Sequence, residues 1–429
     1  MKFIYWPAAL LPLCLAASLH AQENLTLVQL QRIALERNHD VRLAALALDN
    51  AAATVISAAA APNPMLTLQT MNINPGLGVG AGSLRSKTVD SSVRIDQLLE
   101  RGGKRGLRRD GALHQEEGTR EDVREARRQL RLAVSQAYYD ALAADERLAI
   151  LNDTAQLYQR TVEVAQKKRQ AGDLSPADVA RLQVEALRAS NDTAQARSDV
   201  ARARLALALL TGIDNRLAQL PLADGWPAVA ATTLAQGDPA EAAIARRPDV
   251  MAAQARVAAA LSAHKLALAS RTRDVSIGVQ AEHYPTSASN PQGSGNSFGI
   301  SLQVPLFLHY QYDGEIRSAQ VALDLAQENL EQARILARAE LSRSVLDIRS
   351  NGERLQRIDD SLLPAAQKSA QAAEFAYQHG ALPIADVLDV RRSYRAVQLD
   401  ALAARSDYAK ALAAWQASFP TASLESTTP

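Results

Sequence analysis

The chain has 429 residues, is 47% apolar but only 4% aromatic, and sets 47 Lys+Arg against 46 Asp+Glu for a formal net charge of +1. That length exceeds a usual single domain, and the composition, with glycine and proline sparse through two long stretches, favours long helices. The near-neutral balance leaves no global field to steer the protein toward nucleic acid or an acidic substrate.

Residues 1–21 read as a signal peptide: Lys2 supplies a short positive region, an apolar stretch runs from about Phe3 to Leu19, and Ala21 offers a small residue for cleavage before Gln22. The mature chain is then expected outside the cytoplasm. Cys14, the only cysteine, lies in "LLPLC", where bulky Leu13 stands in place of the small residue a bacterial lipidation signal wants, so lipidation is not expected. Without cysteine the mature protein has no disulfide and depends on packing and assembly. No later stretch reaches the roughly 18 uninterrupted apolar residues of a spanning helix; "VRLAALALDNAAATVISAAAA" carries Arg42, Asp49 and Asn50.

A first structural repeat is predicted over 22–220. It begins with helical spacing from Thr26 to Ala61, continues into a β-hairpin at about 65–98, and then into a helical pattern from Leu107 to Gln170, which at about 1.5 Å per residue is close to 100 Å long. In the hairpin Val93 and Ile95 alternate with Arg94 and Asp96, whereas Met65 to Ile73 is the weakest strand pattern. In "QLLERGGKRGLR", Gln97 to Arg108, Gly102 and Gly103 let the chain bend from strand to helix, and Lys104 and Arg105 fall at a membrane–water boundary. A return helix runs from Pro176 to Leu210. A linker is expected at 221–238.

The second repeat, 239–420, has the same order: helices from Pro239 to Ser270, a β-hairpin at about 274–306, a long helix from Asp313 to His379 with a kink at Pro364, and a return helix from Pro383 to Ser418. Val275, Ile277, Val279 and Ala281 face one way, and Phe298, Ile300, Leu302 and Val304 alternate with Gly299, Ser301 and Gln303. The loops "NPGLGVGAGSLRSKT" and "YPTSASNPQGSGNS" are expected to be long and flexible, and 421–429 a disordered tail.

The two repeats align directly. "RQAGDLSPADVARL" (Arg169 to Leu182) matches "YQHGALPIADVLDV" (Tyr377 to Val390), with Gly172 and Gly380 at 380 − 172 = 208. "DERLAILNDT" and "GERLQRIDDS" lie at 352 − 145 = 207, and "RNHDV" and "RRPDV" at 246 − 37 = 209. This is duplication of a domain half rather than a solenoid of short repeats, with the drift absorbed by small insertions. Gly172 and Gly380 suit the left-handed position past a helix end, and Pro176 and Pro383 the first turn of the next helix. Ser175 with Asp178 forms a capping box that the second copy lacks, because Leu382 takes the cap position.

Strands of about 10 residues alternating apolar and polar, joined by glycine-rich loops in a secreted chain, fit a bacterial outer-membrane barrel. Four strands cannot close one, so several copies must pool theirs. The fold class expected is α+β, mostly α: an internally duplicated chain giving four strands to a shared outer-membrane barrel and long helices to a periplasmic α-barrel.

The order of helix, hairpin, long helix, turn and return helix, done twice, resembles the TolC-type outer-membrane efflux family over the mature chain. That resemblance implies a trimer of twelve strands, with a periplasmic adaptor and an inner-membrane pump as partners. It places Asp386 and Asp389 of "YQHGALPIADVLDV" at a ring of aspartates constricting the periplasmic entrance, and Tyr377 and Asp178 as partners closing it by an interhelix hydrogen bond, beside the tip turns at Gly172 and Gly380. The family's basic lock residue falls at Leu382, so the lock is expected to be weaker or differently made. "QLLERGGKRGLR" is similar to a segment of the CzcC-like cobalt-zinc-cadmium branch, which implies export of divalent heavy-metal cations from a resistance-nodulation-division pump.

Other readings stand beside these. Asp386 and Asp389 are also explained as helix-start charge, and with no histidine, nucleophile or pocket motif nearby they do not point to catalysis; no enzyme and no cofactor is expected. His39, His114, His264, His283, His309 and His379 show no ligand spacing, so no dedicated metal site is expected. The run "REDVREARRQLR", Arg120 to Arg131, reads as a solvated helix face with intrahelical pairs. No phosphate-binding loop is present, so energy comes from a partner. The alternatives are a duct for multidrug efflux or type I protein secretion and, in a different class, a periplasmic coiled-coil scaffold or adaptor.

Overall fold

The structure, a computed structural model, describes residues 25–71, 73, 89–214, 221–229, 238–285 and 295–419. The predicted signal peptide and Cys14, most of both hairpin loops, residues 230–237 of the linker, and the tail lie outside them. The elements in order are α1 (Leu27–Arg37), α2 (His39–Ala59), β1 (Met65–Met71), β2 (Asp90–Leu99), α3 (Lys104–Gln170), α4 (Pro176–Thr211), α5 (Asp238–Ala245), α6 (Pro248–Ala269), β3 (Val275–Tyr284), β4 (Gly295–Gln303), α7 (Asp313–Arg357), a π segment (Ile358–Leu362), α8 (Leu363–Gln378) and α9 (Ile384–Ser418). The chain divides into two compact units, with α3 and α9 contributing to both.

Each opening helical stretch consists of two helices, and the breaks fall at matching positions. Asn38 caps α2, its Oδ1 accepting from the backbone N–H of Asp40 at 2.8 Å. At 247 − 38 = 209, Arg247 precedes α6, which has Pro248 in its first turn. Among the described residues α2 is the one helix long and apolar enough to span a membrane by length and composition, and little of it is buried.

The unit built from 37–132, 229–357 and 410–429 holds the sheet. Its four strands are antiparallel in the order β1-β2-β3-β4, with registers Leu66↔Ile95, Ile95↔Val279 and Val279↔Ile300 in one row and Thr67↔Arg94, Arg94↔Gln280 and Gln280↔Gly299 in the next. One face is therefore apolar and exposed, with Leu66, Ile95, Val279 and Ile300 all open to solvent, and the other polar. On the polar face Arg94 donates to Asp96 at 2.7 Å and to the Ser301 hydroxyl at 2.9 Å. They converge over Gly278, where an added Cβ would overlap the Asp96 Oδ1 and Ser301 Oγ positions.

The sheet passes into α3 through Gly102 and Gly103, with φ of 72° and 70°. In the same unit Ile244, Val250, Ala337 and Leu341 form a buried cluster. Beside it Arg247, nearly fully buried, donates to Asp249 at 2.8 Å and Glu340 at 2.7 Å, while Arg128 donates to Glu125 at 2.7 Å, to Glu340 at 3.2 Å and to the Ala417 carbonyl at 3.2 Å. The run from Arg120 to Arg131 is thus not wholly a solvated face: its intrahelical pairs form, but Glu121 is buried and Arg128 reaches across to other elements.

In the unit built from 1–36, 133–228 and 358–409 the described residues are mainly helical, with an isolated bridge between Leu25 and Leu222. Buried Tyr138 accepts from the backbone N–H of Asp224 at 2.9 Å, and burial pushes its phenol up to about 12. The break expected at Pro364 takes a definite form, the π segment just before it. Pro364 has no N–H and its ring crowds the carbonyl of Asp360, and the wider π turn through Asp360 makes room. Arg405 of α9 donates to Asp359 of this segment at 2.9 Å.

Candidate functional site at the helical turns

Both helical hairpins reverse by the same hydrogen bonds. The Gly172 N–H donates to the Arg169 carbonyl at 3.0 Å and that of Asp173 to Lys168 at 2.9 Å; Gly380 donates to Tyr377 at 3.0 Å and Ala381 to Ala376 at 2.9 Å. Gly172 and Gly380 have φ of 87° and 74°, the left-handed helix-ending conformation the repeated sequence predicted. Ser175 caps α4: its hydroxyl accepts from the Asp178 N–H at 3.1 Å and donates to the Asp178 carboxylate at 2.7 Å. The second copy has no such cap and α9 starts at Ile384, with Leu382 half-buried against the shared apolar cluster.

That cluster joins the two hairpins. Tyr158, Val162 and Ala165 of α3, Val179, Leu182 and Ala189 of α4, and Ile384, Val387 and Leu388 of α9 are buried together, with Leu174, Leu382 and Tyr377 packed at its edge. Asp386 and Asp389 stand on the side of α9 away from it, both exposed. The two are not equivalent. Asp386 makes no ion pair among the described residues, whereas Asp389 accepts from Arg392 at 2.7 Å.

Arg392 also donates to Glu185 of α4 at 2.8 Å, and Glu185 is buried with Arg188 as its second partner at 3.3 Å. The Arg392 hydrogen bonds hold the Glu185 carboxyl below the ordinary glutamate range, and the same bond raises the guanidinium. One residue earlier, Arg391 donates to Glu374 at 2.9 Å and to Thr161 at 3.3 Å; one turn later, Arg395 donates to Asp192 at 3.3 Å. A row of arginines on α9 therefore clamps the second hairpin onto the first. Between α4 and α9 lies an open groove of about 610 Å³ lined by Val184, Glu185, Arg188, Leu388, Asp389 and Arg392.

The closing contact expected between Tyr377 and Asp178 is not made within one chain among the described residues. Asp178 is engaged by Ser175 and lies 3.9 Å from Arg181, while the Tyr377 ring faces the Lys168 ammonium at 5.1 Å. His379 turns back on its own helix, with Nδ1 2.8 Å from the Phe375 carbonyl and its ring against that of Phe375. Among the described residues no group of histidines, cysteines and carboxylates is placed to hold a metal.

The arginine clamp was not read from sequence. Its one local signal is Glu185, a charge on the seam Leu182, Ala189, Thr193 and Ala196, all of which are buried. In "QLLERGGKRGLR", within the other unit, Lys104 donates to Asp274 at 2.9 Å and to the Thr272 carbonyl at 2.8 Å, and Arg108 pairs with Glu100. The segment thus braces the foot of the sheet.

A duplicated chain with one amphipathic four-stranded sheet and two long helical hairpins defines an outer-membrane efflux channel protein. Residues 30–213 and 240–418 match the family described as outer membrane efflux protein, and the chain belongs to it. It is a transport conduit of the outer membrane, extending into the periplasm, and not an enzyme, which sets aside the periplasmic scaffold. It is similar to the cobalt-zinc-cadmium resistance protein CzcC of Cupriavidus metallidurans, 24% identical over 373 residues, 86% of this chain and 84% of that protein. It is also similar to the pyoverdine export outer membrane protein OpmQ of Pseudomonas putida, 27% identical over 424 residues, 92% of this chain and 87% of that protein. The fold matches that of CusC with a TM-score of 0.76 at 20% identity, covering 92% of both chains.

Proposed function

We propose that this protein exports divalent heavy-metal cations, received from an inner-membrane pump through a periplasmic adaptor, as a homotrimer whose entrance is ringed by Asp386 and Asp389. The observation that carries the reading is similarity to a cobalt-zinc-cadmium resistance protein over 86% of this chain. The open edges β1 and β4 support assembly, because unpaired strand edges cannot stand in hydrocarbon. The exposed carboxylates support a cation-attracting entrance: Asp386 carries uncompensated charge, and Asp389 a charge shared with Arg392. An interhelix hydrogen bond between Tyr377 and Asp178 closes the entrance when they leave their present partners, Lys168 and Ser175.

A second reading, export of a small organic chelator, is favoured by the similarity to a pyoverdine exporter over 92% of this chain. Deleting the gene separates them. Greater sensitivity to zinc, cobalt or cadmium, restored by the wild-type gene, is the expected result. Unchanged metal tolerance with an exported chelator or a dye retained in the cell would replace the metal reading with the second.

A further inference from the structure

The alternation of β4 does not stop where the strand does. Phe298, Ile300 and Leu302 on the apolar face are followed at the same spacing by Val304, Leu306, Leu308 and Tyr310, beyond the last paired residue, Gln303. Leu306 is 67% exposed and Leu308 76%. Yet the segment is held in place. Arg271 donates to the Gln311 carbonyl at 3.1 Å, the Tyr310 hydroxyl accepts from the Gly314 N–H at 3.0 Å, and the Phe307 ring meets that of Tyr312 edge-on at 5.2 Å. The result is a fixed, non-sheet stretch that presents large apolar side chains outward.

Its surroundings are cationic. The Arg273 guanidinium lies over the Phe307 ring at 5.7 Å, and the Arg101 N–H donates to the Asp274 carboxylate at 2.9 Å, which sets Arg101 beside Arg273. Of the nearby carboxylates, Asp274 is taken by Lys104, Glu100 by Arg108 and Asp313 by Arg271, while Glu315 accepts from the Tyr310 hydroxyl at the far end of the segment. The guanidiniums of Arg101 and Arg273 pair with no carboxylate among the described residues.

We infer that 304–310, with Arg101 and Arg273, forms a binding surface for an anionic phospholipid at the periplasmic edge of the membrane. The apolar row is continuous with the lipid-facing row of the sheet, so the same solvent covers it. Its backbone is not in the ladder, and unpaired peptide groups cannot sit in hydrocarbon, which puts the segment at headgroup depth. There the acyl chains lie against Leu306 and Leu308, and the phosphate meets guanidiniums suited to planar, two-pronged recognition.

The test uses the full-length channel, purified in detergent as assembled and stripped of lipid, then titrated with palmitoyl-oleoyl phosphatidylglycerol or phosphatidylcholine under native mass spectrometry. Wild type should prefer the anionic lipid, and R101Q/R273Q should lose that preference by about 25-fold, about fivefold per arginine. R101K/R273K should keep most of it, and L306S/L308S should bind both lipids less. Inorganic phosphate should not compete. No headgroup preference in wild type, a preference unchanged in R101Q/R273Q, or displacement by inorganic phosphate would each overturn the inference, the last by showing a free-ion site instead. So would protection of 304–310 from solvent labelling in lipid-free channel, which would mean a second copy of the chain covers it.

Discussion

Arg392 and Glu185 are joined at 2.8 Å across two hairpins whose sequences lie about two hundred residues apart, and the same guanidinium reaches Asp389 at 2.7 Å. One side chain thus fastens the hairpins together and offsets part of the negative charge on the exposed face of α9. Replacing Arg392 by Gln leaves Glu185 buried with Arg188 alone, a loss of about 1–3 kcal/mol typical of an under-satisfied buried acceptor. Hydrogen exchange of the α4 and α9 amides should report it as faster local opening. The double variant E185Q/R392Q should recover part of the protection, and exchange in R392Q equal to wild type would show that the apolar cluster alone holds the hairpins.

The same contact sets a pH response. Because Arg392 lowers the Glu185 carboxyl, its contribution is fully present above the ordinary glutamate value of 4.5 and is lost only as pH falls through the depressed value. The hairpin contact should hold at mildly acidic pH and weaken below that range, and E185Q should remove this acid dependence. Tyr138 acts at the other end: raised to about 12 from 10.0, it contributes below pH 10 and loses that contribution as pH climbs toward 12. Alkaline unfolding followed by phenolate absorbance should therefore shift in Y138F.

If Asp386 and Asp389 ring the entrance as proposed, the two should not count equally. With Asp389 tied to Arg392 and Asp386 without a partner, D386N should reduce cation selectivity in planar bilayers more than D389N, and R392Q should increase it. Equal effects of the two substitutions would mean that the ion pair opens in the assembled channel. Selectivity unaffected by D386N/D389N would leave Asp386 as first-turn charge that favours its helix by about 0.3–1 kcal/mol.

In the sheet, Gly278 makes room for the Arg94, Asp96 and Ser301 cluster. G278A should displace it and lower the yield of heat-modifiable, membrane-inserted channel, whereas alanine at Ser276, next on the same face, should be tolerated. On the opposite face, I300R should cost about 2–4 kcal/mol at mid-depth. Normal insertion of I300R would show that the apolar row does not face lipid.

Much of this architecture is written in short-range signals. The period-2 alternation of Val275 to Ala281, the paired glycines at 102 and 103, and the left-handed Gly172 and Gly380 each follow from a local rule, and each appears at or within a residue or two of its expected place. The breaks at Asn38 and Arg247 were hidden because helical apolar spacing continues on both sides of them. The ion pairs of Arg391, Arg392 and Arg395 were illegible for a different reason: their partners are set by which helix faces meet, and no local rule specifies that. The repeat itself holds a further signal. Its offset is 352 − 145 = 207 in the pairing that runs through Ser361, most of the way along the π segment, and 380 − 172 = 208 at the turn, so the second copy carries one extra residue between Ser361 and Gly380.

That extra residue turns the π segment into a phase corrector. One residue is about 100° of helix rotation, so a regular helix carrying it would swing everything beyond Pro364 around by that angle. Tyr377 would leave the shared cluster, and the Gly380 turn would aim elsewhere. By taking up the surplus in a single wide turn, pinned by Arg405 on Asp359, the second hairpin reaches its tip in register with the first. With Pro364 replaced by alanine, deleting one residue between 358 and 362 should give a regular helix whose tip stays in register.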